Sequence, residues 1–156
     1  MEIPADGAEG VLLCQGTNAG GWSFYVKDGH LHYAHNYVRR ALHHVASAER
    51  LPEGRHALRF EFEPTGKPDI AHGKGAPGRA QLYVDDRLVG ETEMPYTTPV
   101  AFNPGGMCCG ANPESAVAAY RAPFRYTGTL HSVTVDMSGD LIVDAPSEMR
   151  RHMARQ

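Results

Sequence analysis

Histidine is the residue type in this chain best placed to do chemistry. There are nine in 156 residues, and His30, His32, His35, His43 and His44 crowd into one short stretch. Imidazoles on alternate residues of a strand point the same way, so His30 and His32 could together hold a metal ion. No carboxylate or cysteine stands at a spacing that would complete the site, and a solvated strand face is the simpler reading. Carboxylates come second. Glu61 and Glu63, and again Glu91 and Glu93, repeat at alternate positions and so share a strand face. Sandwich glycosidases use paired acids about 5–9.5 Å apart across a cleft. Here Glu63 runs straight into Pro64 and no third acid follows, which favours a charged outer face over catalysis. Cys108 and Cys109 lie in GGMCCGANP, with no nucleophile elbow or protease-like surround. Adjacent thiols can oxidise or take up a soft metal, but no catalytic role is expected of them. GKGAPG is not a phosphate loop, because no helix follows it.

The elements that must position these residues are strands. In GGWSFYVKDGHLHYAHNYV (20–38) large residues alternate on both sides of Asp28-Gly29. A two-residue turn there needs positive φ at both positions, which Gly adopts freely and Asp tolerates. The register then pairs Lys27 with His30, Val26 with Leu31, Tyr25 with His32, Phe24 with Tyr33, Ser23 with Ala34 and Trp22 with His35. One face carries Trp22, Phe24, Val26, Leu31 and Tyr33 and should be buried. The other carries Ser23, Tyr25, Lys27, His30, His32 and Ala34 and should be wet. Tyr25, Lys27 and His32 on that wet face are the candidate ligand-binding residues. An aromatic among polar tips suits sugar stacking, and it equally suits an edge against another domain.

Further strands are expected at 10–16, 41–49 and 56–63. A second hairpin spans 79–94 through Asp85-Asp86. A short edge piece follows at 96–103, and TLHSVTVDM (129–137) closes the series. His131 falls on the Val133/Val135 face of that last strand and is expected as a hydrogen-bonded core residue. Residues 64–78 and 104–127 are rich in Gly and Pro and read as long irregular segments. Only 147–156 looks helical, with Ser147 as N-cap. Eight or nine short antiparallel strands, each apolar on one side, need a second sheet to cover them. The expected fold is all-β, a two-sheet antiparallel sandwich over residues 1–145, with a tail at 146–156 that is a short helix or frays. A closed barrel is the alternative.

Bulk properties exclude some functions. The net charge is −3 with scattered Lys and Arg, which gives no support for nucleic acid or an anionic membrane as a partner. No apolar run approaches the ~20 residues needed to span a bilayer. No basic-then-apolar leader opens the chain, and three cysteines are a poor disulfide framework. A reducing, cytoplasmic setting is expected.

Several stretches resemble one family. GVLLCQGTNAGGWSFYVKDGHLHYAHNYV is similar to the opening of the C-terminal domain of long bacterial arylsulfatases. LPEGRHALRFEFEPTG, AQLYVDDRLVGE, PFRYTGTLHSVTVDMSGDLI and EMRRHMARQ are similar to later parts of that domain, in order. The likeness covers nearly the whole chain and is most specific at 20–37, 55–63 and 123–140. It implies a concanavalin-A-like or laminin-G-like jelly-roll sandwich. It also implies a parent enzyme that hydrolyses sulfate esters with calcium and a formylglycine, both held by a separate catalytic domain. The formylglycine motif, Cys-x-Pro/Ser-x-Arg, does not occur at Cys14, Cys108 or Cys109. No catalytic residue and no metal ligand carries over, so no cofactor is expected in this chain. Segment 104–122 departs from the family, being poorer in Asp. The resemblance implies an accessory domain that packs on the catalytic domain or supports a homo-oligomer. A stand-alone glycan-binding module is the alternative.

Overall fold

The computed structural model describes residues 1–99 and 105–137. The described elements are β1 (Glu2–Ile3), β2 (Gly10–Thr17), β3 (Gly20–Lys27), β4 (His30–Tyr37), β5 (Ala41–Ala46), β6 (Gly54–Arg55), β7 (Leu58–Pro64), a 3-10 turn (Ile70–His72), β8 (Gly78–Val84), β9 (Arg87–Met94) and β10 (Met107–Cys109). They form a five-stranded sheet in the order β10-β2-β3-β4-β5, a three-stranded sheet β7-β8-β9 and a two-stranded patch β1-β6. All strand pairings are antiparallel. The fold is the expected all-β sandwich.

Both hairpins fall where the turn residues place them. β3 and β4 pair in the expected register, from Lys27–His30 to Trp22–His35. Asp28 (φ 52°) and Gly29 (φ 78°) make the turn, and Asp85 (φ 47°) and Asp86 (φ 64°) make the one between β8 and β9. Positive φ at both turn residues matches the right-handed twist of the flanking strands.

The larger core lies between the two main sheets. Val26, Leu31, Tyr33 and Val45 from the five-stranded sheet meet Ala80, Leu82, Val84 and Met94 from the other. Tyr33 stacks on Phe60 across the gap, with ring centroids 3.6 Å apart and 10° between planes. The sheets also touch along one corner. The Ala48 amide donates to the Val89 carbonyl at 2.9 Å, and Gly90 lies so near β5 that a Cβ would stand 2.4 Å from the Ala46 carbonyl oxygen.

Several expectations are corrected. First, the face of β3–β4 opposite this core is not wet. Ser23, Tyr25 and Ala34 are buried in a second apolar cluster with Val11 and Cys14, roofed by Cys108, Ala118, Tyr120 and Phe124. A bulge between Val11 and Leu13 makes this geometry work: it turns both Val11 and Cys14 to the outer side while Leu12 joins the inner core. The roof comes from the segment read as irregular, which also supplies β10. Second, 131–137 belongs to no strand. Its pairing stops at an isolated bridge between Glu2 and Thr129, because β1 is only two residues long and offers no further rungs. Third, His131 is exposed and stands 3.4 Å from Glu2 as an ion-pair partner, not in the core. Residues 96–99 are not a strand. The rest of that expected edge piece, the tail helix and the boundary at 145 lie outside the described residues.

Candidate functional site

The outer face of the five-stranded sheet gathers Tyr25, Lys27 and three histidines, His30, His32 and His44. Alternation along β3 turns Ser23, Tyr25 and Lys27 outward, and cross-strand pairing aligns Ala34, His32 and His30 with them. Tyr25 is 2% exposed. His32 stacks on one side of its ring at 4.9 Å, and Tyr120 and Phe124 pack edge-on at 5.1 and 6.4 Å. Burial pushes its phenol up to about 12, so it stays protonated at neutral pH. Lys27 donates from Nζ to the Ala119 carbonyl at 2.9 Å and so ties the roof to β3. The three expected ligand-binding residues are therefore brought together, with Tyr25 beneath the roof.

His32 sits at the margin of this cluster. Its Nε2 lies 3.1 Å from the Lys27 carbonyl and its Nδ1 lies 2.9 Å from His44 Nε2. A carbonyl only accepts, so Nε2 of His32 carries the proton and Nδ1 accepts from His44. His30 donates from Nδ1 to the Ser47 carbonyl at 2.9 Å. Burial lowers the proton affinity of both His32 and His44, which favours neutral rings at pH 7. Among the described residues no group of three or more His, Cys, Asp or Glu side chains could hold a metal ion.

The roof is fastened by a polar network that the sequence did not announce. Asn112, 1% exposed, donates from Nδ2 to the Ser115 carbonyl and to Tyr120 Oη, both at 3.0 Å. Tyr120 Oη in turn donates to Ser23 Oγ at 3.0 Å. Asn36 donates to the Val117 carbonyl at 3.0 Å and accepts from the Arg39 amide. Three aromatics, Tyr120, Phe124 and Tyr126, in an otherwise largely small and polar stretch were the sequence signal that this loop packs.

His35 and His43 face the other way, at one end of the inner core. His35 Nε2 accepts from the Thr98 amide at 3.1 Å. Burial, and then the neighbouring His43, push its pKa down to about 4. His43 Nε2 is buried with no hydrogen-bond partner among the described residues, and its ring meets Tyr96 edge to face at 5.0 Å.

The carboxylates lie on the open face of the three-stranded sheet. Arg79 stands between Glu63 and Glu93 at 3.8 and 3.3 Å, and Arg59 pairs with Glu61 and with Asp86. Each acid-bearing row thus has its own arginine. Cys14 is a buried thiol whose pKa burial raises to about 11, so it is protonated at neutral pH. An open depression of about 440 Å³ lies between Arg39–Leu42 and Ala116–Ala119. Among the described residues no helix is long and apolar enough to cross a membrane.

Comparison of the chain with family models, curated protein sequences and solved structures gives no match in any of the three.

Proposed function

We propose that this chain is a non-catalytic accessory β-sandwich of an arylsulfatase-type hydrolase, and that its work is to assemble with the catalytic domain. The observation that carries the reading is the segment after Leu130. Val133, Val135 and Met137 alternate with Ser132, Thr134 and Asp136 as strand residues do, yet they are 42%, 50% and 84% exposed and lie in no strand. A strand-patterned run with its apolar row in solvent suits pairing or packing against a second body. The resemblance suggests that body, since 123–140 is among the stretches most similar to the C-terminal domain that accompanies a sulfatase catalytic domain. The test is titration with a sulfatase catalytic domain that lacks its own sandwich. Binding, with a rise in the thermal stability of either partner, is expected. No binding at high micromolar concentration overturns the reading.

A second reading, a module for acidic or sulfated glycans, is favoured by one feature. Arg39 and Arg40 line the open depression, and neither guanidinium has a partner among the described residues. Guanidinium groups suit sulfate and carboxylate geometry. Retention on sulfated polysaccharide that disappears in the Arg39→Ala/Arg40→Ala chain would promote this reading over the first.

A further inference from the structure

We propose that Cys14 and Cys108 form a thiol-oxidation site, at which a low-molecular-weight disulfide converts the pair into an intrachain disulfide that staples β10 onto β2. Cys108 is the direct register partner of Cys14. Directly opposed residues of an antiparallel pair point to the same face, and Cys108 packs against the buried cluster that contains Cys14. The Gly110 amide donates to the Leu12 carbonyl at 3.1 Å, which makes those two a hydrogen-bonded pair. Such pairs alternate along the ladder, so Cys14 and Cys108 form the next one, with Cα atoms about 5.5 Å apart. A disulfide spans Cα separations of about 4.4–6.8 Å and Cβ separations of about 3.5–4.5 Å, so the two Cβ atoms, about 5.5 Å apart in a hydrogen-bonded pair, draw roughly 1 Å closer as the bond forms. Cys109 lies opposite Leu13, is exposed and points to the other side, so alternation keeps it from Cys14. Nothing in the spacing 14, 108, 109 reveals this pairing, because only the register of β10 on β2 creates it.

The chemistry balances with a small disulfide such as oxidised glutathione. The Cys108 thiolate attacks one of its sulfurs, that S–S bond breaks, and one glutathione leaves as a thiolate and takes up a proton. Cys14, once deprotonated, attacks the Cys108 sulfur of the mixed disulfide and expels the second glutathione. The pair loses two electrons and two protons, and one small disulfide becomes two thiols. Burial holds the Cys14 thiol near 11, so the second step is the slow one and quickens as pH rises. The bond would fix β10, the strand from which the roof over Tyr25 departs.

The experiment uses the Cys109→Ser chain, which removes the exposed thiol. It is incubated with oxidised glutathione at alkaline pH, quenched with acid and digested. The expected product has lost two hydrogens and gives a Cys14–Cys108 linked peptide. Closing so long a loop should raise Tm by roughly 10 °C, reversibly with a dithiol. Adding Cys14→Ala should stop the reaction at the glutathione adduct on Cys108. Persistence of that adduct while Cys14 is present, or dimers joined through Cys108, would overturn the proposal.

Discussion

His35 shows how one buried side chain sets a pH dependence. Its Nε2 is occupied by the Thr98 amide, its ring lies 6.4 Å from that of His43, and its pKa falls from 6.5 to about 4. A depressed pKa contributes stability that is fully present above 6.5, begins to be lost below it, and is gone below about 4. At pH 5 the loss from His35 alone is about 2 kcal/mol. His32, His43 and His44 are also lowered and act in the same sense. His56, raised by its hydrogen bond to Asp85, acts in the opposite one. Urea unfolding at pH 7 and pH 5 should show the drop, and His35→Gln should flatten it. Tyr120→Phe tests the roof. It removes the hydroxyl that joins Asn112 to Ser23 and leaves the fully buried Ser23 Oγ without that donor. The expected cost is about 1–3 kcal/mol, read from the same unfolding curves.

Among the elements, the corner between β5 and β9 depends on the absence of one side chain. A Cβ on Gly90 would meet backbone at 2.4 Å, and backbone cannot swing aside as a side chain can. Gly90→Ala must part the sheets locally, at about 1–3 kcal/mol, and should speed hydrogen exchange of the Ala48 amide, which bonds across that corner. The elements readable from sequence were those with both alternation and punctuation. Asp28-Gly29 and Asp85-Asp86 fixed the turns, and the large residues on either side fixed which face of β3, β4, β7 and β8 turns to the inner core. The outer face misled because Ser23, Lys27, His30 and His32 are polar, and its cover is a segment without period. Hydrogen bonds from Asn112, Asn36 and Lys27 hold that cover in place of an apolar stripe. β10 is three residues long, too short to carry a pattern. In 129–137 the alternation was real but reported only a capacity to pair, and β1 does not supply the partner.

For the molecule as a whole, the exposed row at Val133 and Val135 separates folding from assembly. Fully burying a valine contributes about 1.5–3 kcal/mol. Both side chains are about half exposed already, so covering them would add about 1 kcal/mol each to an association and almost nothing to the isolated fold. Val133→Ser/Val135→Ser should therefore leave the unfolding free energy within about 0.5 kcal/mol of the parent chain. On the proposed assembly role, the same substitutions should weaken binding to a sulfatase catalytic domain by about thirtyfold, the equivalent of about 2 kcal/mol. Denaturant unfolding and titration calorimetry on one preparation read both quantities. A chain that loses stability and keeps its affinity would place the row inside the sandwich's own core and remove the main support for an assembly role. A chain that keeps its stability and loses its affinity would make 131–137 the docking edge.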